Sequence, residues 1–202
     1  MARYTNSRIV PVALVLIIVA VAIAALVSIT RAIFFSGNVQ TTSSQADVSQ
    51  AELLNTSANR AVRMSVRGAI VANEEFHSYV IAITPSSRTL TTYTGYLDKK
   101  VDQQVVLNNN IPAYEQFVYA LNYANLVKGT ELSGDKNDTR GICATGRVYQ
   151  FEVLKADTSV KTLWTSTCKG SPGSLDGSIT QLTSLFTSQI PNARSLISKI
   201  DL

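Results

Sequence analysis

The sequence predicts an α+β domain, one antiparallel sheet covered by helices and stapled by one disulfide, behind an N-terminal transmembrane helix. Three observations predict it. An uncharged apolar run extends from Ile9 to Thr30. Period-two alternation recurs between Ala61 and Thr167, which marks strands. Helical spacing of apolar residues is clearest at Asn110–Lys128 and again after Ser178, which puts helices on the sheet rather than among parallel strands.

The apolar run comes first. A helix rises about 1.5 Å per residue and a bilayer core is roughly 30 Å thick, so about 20 apolar residues cross it. Arg3 and Arg8 precede the run, and Arg31 at its edge is the last cation before Arg60. This bias places the N-terminus inside and the rest of the chain outside. The rival reading is a cleaved signal peptide, with small-residue sites at Ala20-Val21-Ala22 and Ala22-Ile23-Ala24. Its apolar region is normally about 7–15 residues, shorter than this one. The expected organisation is a cytoplasmic N-terminus (1–8), a signal anchor (9–35), a polar stalk (36–57) and an extracytoplasmic domain (58–202). Residues Ile9–Thr30 are expected to contact lipid.

Eighteen basic and fourteen acidic side chains give a net charge of +4. Setting aside Arg3, Arg8 and Arg31 leaves fifteen bases against fourteen acids. The excess therefore belongs to membrane orientation, and no nucleic-acid partner is expected.

The stalk is rich in Ser, Thr, Gln and Asn, although Val48, Leu53 and Leu54 suit a short helix in its second half. Ala61–Arg67 alternates, with Val62, Met64 and Val66 on one face and Arg63, Ser65 and Arg67 on the other. The Arg row, with Arg60 beside it, reads as a solvated strand face or as a contact surface for an anionic polymer or a partner protein. Phe76–Thr84 and Arg88–Tyr96 form the next two strands around Pro85-Ser86-Ser87, and Val101–Leu107 a further short one.

At Asn110–Lys128 the period changes. Tyr114, Phe117, Val118, Leu121 and Ala124 make a helical stripe, Pro112 fits a first turn, and Lys128-Gly129 supply a stop. Tyr119 and Tyr123 lie one turn apart beside that stripe and suit a solvent-facing interaction surface. Arg147–Leu154 and Val160–Thr167 form a hairpin around Lys155–Ser159. Pairing Leu154 with Val160 sets Arg147 opposite Thr167 and brings Cys143 within reach of Cys168. A disulfide between them is expected, worth about 3–4 kcal/mol in the chain-entropy model. At the end, Ser178 and Gln181 form a capping box before Ile179, Leu182, Phe186 and Ile190. Pro191 interrupts, and Asn192 caps a last short helix.

No catalytic, cofactor-binding or metal-binding constellation is read from these residues. His77 is the single histidine and sits on an apolar strand face; a disulfide would remove the thiolate that a Cys143–His77 pair needs. Ser133-Gly134-Asp135-Lys136 matches Ser-x-x-Lys but lies in a polar loop without companion motifs. Glu131, Asp135, Asn137 and Asp138 cluster oxygen ligands, yet Thr139 and Arg140 break the EF-hand pattern; whether this loop takes a cation is open.

The stretch RGICATGRVYQFEVLKADTSVKTLWTSTCKGSPGSL, followed by LFTSQIP, resembles single-pass exported envelope proteins of the Saccharibacteria. The likeness runs from about Tyr114 to the C-terminus and implies an envelope location without implying an activity. The order of an apolar helix, an antiparallel sheet and a late disulfide also looks like a type IV pilin. That pattern departs at the leader site, where Ser7-Arg8-Ile9 stands instead of Gly, and no Glu lies within the run. The expected role is a non-catalytic binding or scaffolding module with an envelope protein as partner. The alternatives are a pilin-like subunit and an envelope enzyme or enzyme inhibitor.

Overall fold

Six antiparallel strands form one sheet in the order β4-β3-β2-β1-β5-β6. The computed structural model describes residues 42–202. The expected cytoplasmic N-terminus, the transmembrane segment with its lipid contact through Ile9–Thr30, and the start of the stalk lie outside the described residues. None of the helices among the described residues is long and apolar enough to cross a membrane. In chain order the elements are α1 (Thr42–Leu53), β1 (Arg60–Arg67), β2 (His77–Ile83), β3 (Ser87–Thr94) and β4 (Lys100–Asn108). They continue with α2 (Ile111–Tyr123), β5 (Val148–Lys155), β6 (Thr158–Ser166), α3 (Ile179–Ser188) and α4 (Ala193–Ile197).

The alternation expected in β1 is observed, and the neighbouring strands extend it into rows. On the helix-covered face, Ile83, Val62 and Val153 lie side by side, then Ile81, Met64 and Phe151, then Tyr79, Val66 and Tyr149. Tyr114, Phe117, Val118 and Leu121 of α2 and Leu182 and Phe186 of α3 pack on these rows in one apolar core. Phe186 meets Phe117 edge to face, with ring centroids 5.3 Å apart.

Three boundaries differ from expectation, each for a local reason. The stalk assigned through Ser57 contains α1, which is the short helix expected around Val48 and Leu53 but is not part of a free stalk. Its Leu53 is fully buried in the core and its Glu52 pairs with Arg60, so this helix belongs to the compact unit Ser43–Leu202. The helix expected to run to Lys128 ends at Tyr123. Asn125 adopts a left-handed conformation (φ 62°), the Leu126 N–H reaches the Leu121 carbonyl at 3.0 Å, and the Asn125 N–H reaches that of Asn122. Asn125, rather than Gly129, thus closes the helix in a Schellman motif, and Leu126 packs back into the core. The β5–β6 turn is two residues, Ala156 and Asp157 (φ 48° and 64°), because paired left-handed residues match the strand twist. A register shift at Val153–Leu154 absorbs the remainder, while Val148 still opposes Ser166, so Arg147 faces Thr167 as expected.

The expected disulfide is present. Cys143 and Cys168 are joined across the hairpin mouth with their Cα atoms 5.4 Å apart. Cys143, Val148 and Trp164 form a second small apolar cluster on the opposite face of the sheet.

Candidate functional site

The face of the sheet turned away from the helices carries a cavity of about 500 Å³. Register fixes its floor. Val80, Ser65 and Gln150 form one row across β2, β1 and β5, and Ser78, Arg67 and Val148 the next. Ser65 at the centre of the first row and Ser78 in the second leave depth that larger side chains would fill.

Two loops raise the walls. Phe76, at the end of the β1–β2 connection, stacks on Tyr96 with ring centroids 4.2 Å apart. The Tyr96 hydroxyl donates to the Val71 carbonyl, and the Tyr96 N–H donates to Asn73 Oδ1 at 3.1 Å. The short turn Tyr96–Asp98 is thereby clamped over the sheet, where the Ser78 hydroxyl donates to Asp98 Oδ1 at 2.9 Å. On the other side, Thr139–Gly141 rises from the loop that leads to the disulfide. The Ile70 N–H donates to the Ala144 carbonyl at 2.8 Å and joins the two walls at one end.

Leu97 stands at the rim in an unusual state. It is 88% exposed and has φ 57°. A non-Gly residue in this region costs about 1 kcal/mol or more, and exposing a Leu forgoes its burial. Both costs fall on an apolar residue of the cavity lining.

The ionic groups around the cavity are engaged with their own surroundings. Arg67 donates from Nη2 to the Thr139 carbonyl at 2.7 Å and also to that of Ile142, and desolvation lowers its pKa. Arg140 holds Asp138 through several charge-assisted hydrogen bonds, and these bring the Asp138 carboxyl down to about 2. One row beyond the cavity, Arg63 binds Glu152 through two hydrogen bonds of 2.6 and 2.9 Å, and the bonded carboxylate raises the Arg63 pKa. What remains open to a ligand is mainly apolar wall with Ser65 and Gln150 on the floor. Such a site encloses an apolar group and offers it one or two neutral hydrogen bonds.

The residues singled out in the sequence divide accordingly. Arg60 does not share a face with Arg63 and Arg67. It lies on the core side, 6% exposed, bound to Glu52, so it is not available to the interaction surface expected around Arg63 and Arg67. Arg67 lines the cavity; Arg63 lies beside it. Tyr119 and Tyr123 sit far along the chain on α2, 46% and 81% exposed, and take no part in the cavity. His77 is on the helix side with Ile81 and Ile83, and Cys143 is in the disulfide, so no Cys143–His77 thiol pair exists. Ser133 precedes a single turn at Gly134–Asn137, and Asp138 in that loop is bound by Arg140.

Tyr96, one of the tyrosines suited to a binding surface, is a wall residue, and it and Phe76 lie just outside the strands expected to include them; Ile70, Leu97 and Asp98 were missed, because they come from connections that carry no period. The signal available was Gly95, whose φ of 88° permits the turn that follows, and the small or polar residues Ser65, Ser78 and Gln150 at alternating strand positions. No family model, curated protein or solved structure matches the chain.

Proposed function

We propose that the chain is a membrane-anchored, extracytoplasmic module of the cell envelope that binds or scaffolds a partner without catalysis. In this reading Ile9–Thr30 crosses the cell membrane, the N-terminus stays inside, and the disulfide-bonded domain stands outside. The observation that carries it is the walled apolar cavity, with Leu97 displayed at its lip and its charged groups committed to internal partners. An apolar side chain or small apolar group of an envelope component is the occupant this lining suits. The closed Cys143–Cys168 pair supports an oxidising compartment. The resemblance to exported Saccharibacteria proteins points the same way.

Protease shaving of intact cells, with non-reducing mass spectrometry of what is released, tests the placement. The expected result is a compact fragment beginning near residue 42 with Cys143 and Cys168 joined. A protected domain with free thiols would overturn it.

A further inference from the structure

The chain treats the two edges of its sheet differently. At β6 the backbone is covered. The Trp164 N–H donates to Ser174 Oγ at 3.1 Å, and the Trp164 carbonyl accepts from the N–H groups of Ser174 and Leu175. Gly173 lies so close to that carbonyl that a Cβ would stand 2.1 Å from it. β4, at the opposite edge, has no such cover among the described residues. The Asn109 N–H donates to the Ser86 carbonyl at 2.8 Å, and bonded positions alternate along an antiparallel ladder. Leu107, Val105 and Gln103 therefore bond to β3, while Asn108, Val106 and Gln104 turn their N–H and C=O groups outward. The Arg88 guanidinium occupies the Asn108 carbonyl. Gln104 and Val106 are left with donor and acceptor both open.

Nothing in the middle of β4 discourages pairing. Open edges are normally blunted by Pro, Lys, bulges or short strands. Here the charges and the register shift are confined to one end. Lys100 and Asp102 pair with each other at 3.7 Å, and Asp102 is the residue that the shift leaves unmatched. Gln103–Asn108 then runs in regular register, uncharged and without Pro. Val106 is 61% exposed, and Val105 and Leu107 are partly buried at the margin of the core.

We propose that β4 is an interaction edge for a second copy of this chain, joining two sheets antiparallel across a twofold axis. Pairing Gln104 of one copy with Val106 of the other uses the open donors and acceptors of both chains. This register places Val105 on the axis and Gln103 opposite Leu107, so apolar residues meet at the margins of both cores. No like charges face each other, because Lys99 and Lys100 lie beyond the paired stretch. The strand is its own complement, which favours a second copy over a charged foreign strand. A strand edge buries less than the roughly 1,200 Å² of a stable interface, so the pairing is reversible. It is independent of the cavity.

The test is sedimentation equilibrium of the full chain in non-ionic detergent, together with thiol cross-linking. A monomer–dimer equilibrium in the micromolar range is expected. Val106→Pro removes an outward N–H and no bond to β3, so it should weaken association by about tenfold or more at an unchanged melting temperature. Val106→Lys, which brings like charges together near the axis, should do the same and keeps the proposal testable if the Pro variant misfolds. Val105→Cys should join two chains on mild oxidation with glutathione disulfide, since residues facing each other at such a position have Cα atoms about 4.5 Å apart. Val101→Cys, away from the axis, should not. A chain that stays monomeric at every concentration would overturn the second copy as occupant and leave the edge to a strand of another protein. Association unchanged in both Val106 variants, or no cross-link in Val105→Cys, would overturn the edge.

Discussion

Nη2 of Arg67 lies 2.7 Å from the carbonyl oxygen of Thr139, a residue 72 positions away, and also donates to the carbonyl of Ile142. One side chain on the cavity floor therefore holds one of its walls. Replacing it by Met leaves both carbonyls without that donor, which costs about 2 kcal/mol and loosens Thr139–Gly141. Trypsin cleavage after Arg140 should then be faster in Arg67→Met than in the wild type. Lys should substitute poorly, because a single ammonium lacks the fork that reaches two carbonyls.

Arg63 and Glu152 make the opposite kind of pair. Both bonds run between adjacent strands, and Glu152 is 6% exposed. Arg63→Met strands a buried carboxylate and should cost about 3 kcal/mol. Glu152→Leu in the same background should recover most of that. Urea midpoints for the two single variants and the double variant measure the coupling.

The Cys143–Cys168 bond closes a sequence separation of 25 residues. Replacing both by Ser should lower stability by about 3 kcal/mol. Trp164 packs in the same small cluster, so its fluorescence should shift in the variant before global unfolding.

Stability should fall at alkaline pH. Burial pushes the Tyr114 phenol up to about 12 and raises that of Tyr79 as well. Raised folded-state values mean that the stabilisation is complete below the unfolded value, about 10, and is lost as pH climbs through the folded one. At pH 11 each phenol should destabilise the fold by about 1 kcal/mol relative to pH 9. Urea midpoints between these two pH values should decline less in Tyr114→Phe than in the wild type.

Much of the architecture was legible because it follows periodic residues. The parity of Val62, Met64 and Val66 gave β1 its faces, and apolar alternation in both arms gave the hairpin the register that joins the cysteines. Arg60 misled for the same reason. Its parity matches the core side, but its charge suggested solvent until Glu52 of α1 was there to receive it. The end of α2 depends on one Asn taking a left-handed conformation, which Asn adopts less often than Gly. The cavity was out of reach, since its walls come from two loops that meet only after the sheet has formed.

Leu97 is where stability and binding should part. Leu97→Gly removes the backbone strain at φ 57° and loses almost no burial. It should leave thermal stability unchanged or raise it by about 1 kcal/mol, while an apolar ligand binds more weakly. Thermal melts of the variant with and without ligand separate the two effects.

The most direct test is a titration of residues 42–202, which carry their own core and disulfide, with the neutral dye N-phenyl-1-naphthylamine. Ser65 sits at the centre of the cavity floor, so Ser65→Phe fills the space without touching the helix-covered core. The account predicts saturable fluorescence enhancement at one site, lost in Ser65→Phe while the melting temperature is kept. No saturable signal in the folded wild-type domain, or the same signal in Ser65→Phe, would contradict it.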